Sequence, residues 1–221
     1  MRQPVAYAAI GGSLLLAGAV VASAGAADPG AASAPCARPA DTKLIASDGG
    51  SKAWRVTIDG GFGAPDLRRF VACERGRAPF VFERGDTGAS TLTEVPAADI
   101  RGRHLAYGRI RNVGLGTARA TLVVRDLRTH RATYVRRAVS KELELESFDD
   151  VEVRASGSVA WIASNVVGDE GAVVYEVRKR ERGGSVLLDS GMDVAPRSLK
   201  LTPDGRVRWI RAGAERFAPL P

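Results

Sequence analysis

Between Val151 and Gly191 apolar and polar residues follow one another in four short runs separated by turn residues. Val151, Val153 and Ala155 alternate with Glu152, Arg154 and Ser156, the period of a half-buried strand. Gly157-Ser158 is a turn signal. The run 159–162 is almost wholly apolar, as expected of a strand covered on both faces. After a turn at Gly168, Asp169, Glu170 and Gly171, the side chains of Val173, Tyr175 and Val177 face one way and those of Val174, Glu176 and Arg178 the other. Gly183-Gly184 closes a basic loop, and a fourth run, 185–188, ends at Asp189-Ser190-Gly191. The pattern predicts four antiparallel strands joined by hairpins.

The second of these strands carries Ala160-Trp161. Similar pairs are Ala53-Trp54 and Ala106-Tyr107, with Arg208-Trp209 a looser fourth, so the aromatic markers Trp54, Tyr107, Trp161 and Trp209 lie 53, 54 and 48 residues apart. Each follows a run that ends in glycine, at Gly49, Gly102, Gly157 and Gly205. Regular spacing of this size predicts stacked or radially arranged units, none of which buries its own face alone. The expected fold is all-β, a β-propeller-like array of about four antiparallel blades. The alternative is a β-sandwich whose hairpins look alike because Trp and Tyr favour strands.

Strands are expected at 43–46, 53–58, 69–73 and 80–83 in the first unit, and at 104–110, 121–127 and 133–136 in the second. The fourth unit, from Ser198, offers two strands and a tail. Helical periodicity is weak. The short segments 64–70 and 141–148 are the helix-like candidates, and in the latter Leu143 and Leu145 alternate with glutamates as in a strand.

Arg125-Asp126-Leu127-Arg128-Thr129, with His130 where glycine is usual, looks like the end of a third blade strand in bacterial secreted β-propellers of the WD40-like and TolB-like kind. Leu201-Thr202-Pro203-Asp204-Gly205 resembles their turn between first and second blade strands. The resemblance covers roughly residues 41–217. It implies a scaffold, and it carries over no catalytic residue.

Ahead of the repeats, Arg2 precedes an uncharged apolar run at 5–21, followed by the small residues Ala22-Ser23-Ala24. This is the pattern of a secretory signal, residues 1–24, with cleavage between Ala24 and Gly25. Residues 25–40 are rich in Ala, Pro and Gly and read as a flexible lead-in to a domain at 41–221. The expected location is secreted or on the cell-envelope exterior, with no stable membrane span after cleavage. The alternative is a tether formed by an uncleaved N-terminal anchor.

Export changes the reading of the two cysteines. Cys36 and Cys73 are the only pair, and in an oxidising compartment they predict a disulfide. His104 and His130 are the only histidines. No nucleophile elbow, zinc-protease helix or phosphate loop is present. The acidic pairs Asp149-Asp150 and Asp169-Glu170, and the spaced Asp189 and Asp193, read as turn chemistry. No catalytic, cofactor-binding or metal-binding residue is assigned, and no cofactor is expected.

The chain holds 32 Lys and Arg against 25 Asp and Glu. Most of the excess is arginine, in groups at Arg101–Arg111, Arg125–Arg137 and 178–182. One reading is a surface for anionic envelope polymers or lipid headgroups. The other is solubilising arginine on strand faces and edges, which the interspersed acids favour. An exported domain without an aromatic-basic stripe is a poor candidate for nucleic acid. The expected function is an exported, non-catalytic binding or scaffolding module, with an envelope protein or an anionic polymer as partner. The alternative is an extracellular carbohydrate-active hydrolase or lyase whose paired carboxylates lie far apart in sequence.

Overall fold

The computed structural model describes residues 36–86, 92–114, 116–140, 145–168, 171–181 and 184–221. The expected signal segment, its cleavage point at Ala24-Gly25, most of the lead-in and the Asp169-Glu170 pair lie outside the described residues. The strands belong to one compact unit, Ser33–Pro221. Among the described residues there are sixteen strands and no α-helix, so no helix is long and apolar enough to cross a membrane.

The strands form four antiparallel sheets in chain order. The first runs β1 (Lys43–Asp48), β2 (Ser51–Ile58), β3 (Leu67–Cys73) and β4 (Phe80–Asp86). The second holds β5 (Thr93–Glu94), β6 (Ala98–Arg101), β7 (His104–Gly114), β8 (Thr117–Asp126) and β9 (Ala132–Arg137), with β5 and β6 both paired to β7. The third runs β10 (Glu146–Val153), β11 (Val159–Val167), β12 (Ala172–Glu181) and β13 (Gly184–Gly191). The fourth runs β14 (Lys200–Leu201), β15 (Arg206–Arg211) and β16 (Ala214–Pro219). The all-β expectation is met, as four open meanders.

Three details differ from expectation. The helix-like segment 64–70 is a turn followed by β3. Its polar residues, Asp66, Arg68 and Arg69, alternate with Leu67 and Phe70 only loosely, which weakens both periods. The fourth unit has a third strand, β16, in place of a tail. Lastly, the strand that carries Arg178 runs further than expected, so Lys179 and Arg180 of the basic loop belong to β12. Pro96 separates β5 from β6, since proline cannot donate to a ladder.

The core is distributed between sheets. Phe70, Phe82, Ile100 and Tyr107 pack where the first and second sheets meet. Leu122, Phe148 and Trp161 fill the junction of the second and third. Ile162, Leu199 and Trp209 fill that of the third and fourth. Strand alternation feeds two junctions at once: Trp161 and Ala163 of β11 point to the second sheet, and Ala160 and Ile162 to the fourth. Gly108 lets the second and third sheets close, because a Cβ there would lie 2.1 Å from the Phe148 ring.

Hydrogen bonds between sheets repeat with the same period. Ser51 Oγ donates to the Gly102 carbonyl (3.5 Å), His104 Nδ1 to that of Ala155 (3.0 Å) and Arg154 Nη1 to that of Gly205 (3.4 Å), each 51 residues away. Asp99 and Asp150 act alike. One oxygen of each accepts the next backbone N–H, from Ile100 or Val151. The other accepts one from Val153 of the following sheet or from Leu199, just before β14. The His130 turn is held by Asp126 Oδ1, which accepts from Arg128 N and Thr129 N. His130 has φ of 60°, the left-handed conformation a glycine adopts most readily. Its ring stacks on Phe80 at 3.9 Å, holding it there.

Candidate functional site

The aromatic markers are structural. The three from the second sheet onward reach back to the preceding sheet. The Tyr107 hydroxyl donates to Glu83 of β4 (3.3 Å), Trp161 Nε1 to the Ala138 carbonyl just after β9 (2.7 Å) and Trp209 Nε1 to Asp189 of β13 (2.8 Å). Burial pushes the Tyr107 phenol up to about 12, against the pull of Arg125. Trp54 stands in the first sheet, and its cluster partners are Cys36 and Cys73. These cysteines lie at disulfide distance, with Cα atoms 5.9 Å apart, so Cys36 is held against the indole.

Many of the arginines are likewise paired with carboxylates, several of them on another sheet. Arg109 and Arg111 converge on Glu83 at 3.3 and 3.0 Å. Arg101 lies 3.7 Å from Asp48 and 3.9 Å from Asp99. Arg178 and Glu176 form a buried pair at 2.8 Å, with Ser140 N and Oγ both donating to Glu176 (2.9 Å). Asp189 and Asp193 converge on Arg211.

A concavity lined by charged side chains from several strands lies along the first strands. It encloses about 420 Å³, within the range of small-molecule sites. β1 contributes Lys43, Leu44 and Ile45, with Arg55 and Arg68 behind them on β2 and β3. The stretch from Glu94 to Ala98 forms the second wall, Asp149 and Asp150 the third, and Arg197 and Lys200 the fourth. Two of the lining residues sit in β-bulges. The β1–β2 register shifts between Leu44 and Ala46, and the β10–β11 register between Phe148 and Asp150. Ile45 and Asp149 are the extra residues, and a bulge re-aims the side chain that it carries. Asp149 and Asp150 are therefore strand residues, not the turn pair that composition suggests. That expectation fails because the bulge lets two adjacent aspartates sit inside a ladder.

Burial drives the electrostatics. It raises Asp149 above the usual carboxylate value, while the Ser164 hydroxyl (2.8 Å) and the Arg197 charge pull it down. It raises Asp150 too, against N–H groups of Leu199 and Val151 and the charges of Lys200 and Arg197. Asp99 is raised for the same reason. Behind them Glu152 is pushed up to about 7, first by burial, then by the charges of Asp99 and Asp150, with Lys200 and Arg101 opposing. Lys200 Nζ lies 3.8 Å from its carboxylate. No family model and no curated protein matches this chain.

The site is thus read from the geometry alone. It offers cations and carboxylates side by side, the means to hold a charged, hydroxylated molecule by hydrogen bonds. Among the described residues, no group of three His, Cys, Asp or Glu side chains is placed to hold a metal ion. His104 serves the second-to-third sheet junction and His130 a turn. The cleft residues were missed in the sequence because they come from four segments about fifty residues apart. The one signal for them was the Asp149-Asp150 pair. A second concavity, of about 480 Å³, lies at Tyr134, Arg136 and Arg180, where the Arg180 guanidinium covers the Tyr134 ring at 4.6 Å.

Proposed function

We propose that this chain is an exported binding module built as a β-propeller-like arc of four blades, with its ligand seated in the cleft along the first strands. Successive antiparallel meanders of three to five strands, with Tyr107, Trp161 and Trp209 each reaching back one sheet, support the blade reading. The Cys36–Cys73 bridge fits an oxidising compartment. The observation that carries the binding reading is the cleft itself, to which all four sheets or the loops beside them contribute polar side chains. Fractionated envelope extract from the source organism, protein and glycan fractions kept apart, tests it. One fraction is expected to slow hydrogen exchange across β1, residues 94–98 and the start of β10 together. If no fraction protects those segments, the binding reading falls.

A second reading, a carbohydrate hydrolase or lyase, is favoured by two carboxyls that burial raises, Asp149 and Glu152, since a carboxyl that keeps its proton to higher pH suits a general acid. Turnover of a glycan by the native chain, abolished in Asp149→Asn with hydrogen exchange unchanged, would establish it. Slowed exchange without turnover favours the binder.

A further inference from the structure

We propose that the cleft recognises a hydroxylated carboxylate, the repeating unit of an acidic polysaccharide of the uronate type. The inference rests on the reading of this cleft as a ligand site and names its ligand class.

Its charges are unequally matched. Glu94 is held by Arg68 at 2.7 Å. Asp150 spends both oxygens on backbone N–H groups, Val151 and Leu199. Asp149 accepts one hydrogen bond, from Ser164, on Oδ2. Lys43, Arg55 and Arg197 also line the cleft, and none of them has an ion-pair partner within 4.0 Å among the described residues. Arg55 is half-buried, and its Nε is shielded from water with no hydrogen-bond partner. A buried donor without an acceptor is costly, and an incoming anion relieves that cost. A guanidinium presents a planar fork that a carboxylate fits with two bonds.

The carboxylates decide the class of anion. A compact dianion such as phosphate would sit close to Glu94, Asp149 and Asp150 and be repelled by them. A monoanion carrying hydroxyl groups turns the same neighbours into acceptors, Asp149 Oδ1 first, since it has no partner among the described residues. Ile45, aimed inward by its bulge, and Pro96 offer the apolar surface that a sugar ring covers.

Calorimetry on the full chain tests the proposal with three probes: an oligogalacturonate, its methyl ester and inorganic phosphate. The acid is expected to bind, and the ester at least about tenfold more weakly, the size of one lost charged hydrogen bond. Arg55→Gln should weaken the acid about tenfold or more. Lys43→Gln, at an exposed position that leaves the fold unstressed, should weaken it several-fold. Arg208→Gln, outside the cleft and paired with Glu215, should not. Equal binding of acid and ester, or phosphate binding as tightly as the acid, overturns the proposal. So does the absence of any acid binding. If an envelope fraction still protects the cleft from exchange in that last case, the ligand class fails and the binding module stands.

Discussion

Trp54 and Trp161 hold the same place in their sheets, on the strand after the first turn, and both are buried, 2% and 0% exposed. They are buried by different means. Trp161 lies against the second sheet, donates to Ala138 and shares its cluster with Phe148 and Leu122. Among the described residues Trp54 has no earlier sheet to face. Its cover is Cys36, brought over it by the bond to Cys73. An inner unit of a linear array is covered by its neighbour, whereas a terminal unit needs a cap. Here a disulfide and a few residues of lead-in take the place of a whole sheet.

The largest effect expected from breaking this comparison is at the inner junction. Trp161→Ala should cost about 3–5 kcal/mol, the usual range for a fully buried Trp, because it empties the second-to-third junction and orphans the Ala138 carbonyl. Urea unfolding read by circular dichroism measures it. Trp54→Ala should cost less, since only one small cluster depends on it. A loss at Trp54 equal to that at Trp161 would refute the asymmetry.

The cap comes next. Cys36→Ser should cost about 2–4 kcal/mol, as expected for losing a native bridge over a loop of this size. A double-mutant cycle sharpens the comparison. Cys36→Ser and Trp54→Ala should couple, because each removes the other's partner. Cys36→Ser and Trp161→Ala should add. Coupling of the distant pair and additivity of the near one would mean that the bridge does not act through Trp54.

The sequence exposes the parts of this arrangement that are local. Ala-Trp after a glycine turn is visible because the strand's aromatic and its turn lie within a few residues, and their spacing survives in all four sheets. The bridge was legible from the cysteine count and the expectation of export. What was hidden is what crosses between sheets. Asp99 and Asp150 lie 51 residues apart and make the same two bonds, yet each looks like any aspartate beside a strand. Arg109 and Arg111 look like solvent-facing charge until Glu83, on the previous sheet, is brought beside them. β16 was missed because the segment Ala214–Pro219 holds a Glu, an Arg and a Pro around a single large apolar residue, Phe217, and it is pairing with β15 that makes it a strand. The cleft was missed for a related reason. Ile45 and Asp149 reach it through bulges, and bulges depend on register, which single-strand patterns do not encode.

The two regions should also answer to different chemical conditions. The cap is apolar and covalent, while the inner junctions bury ionisable groups. Glu152 on β10 is the clearest. Its folded carboxyl holds a proton up to about 7, against an ordinary 4.5. Between those values the folded state binds more protons than the unfolded chain, so stability falls as pH rises across that window and levels off above it. Asp99, Asp149 and Asp150, all raised, act in the same direction at lower pH. Glu152→Gln isolates one group, because the amide stays neutral throughout. Relative to the native chain, the variant should gain about 1–3 kcal/mol between pH 4 and pH 8, read from urea midpoints at each pH. The Lys200 ammonium, 3.8 Å away and mostly exposed, offsets little of this. Cys36→Ser should lower stability by the same amount at every pH in that range. If the cysteine variant changes the pH slope, or Glu152→Gln leaves it unaltered, the ionisable interior and the covalent end are not the separate devices that their structures imply.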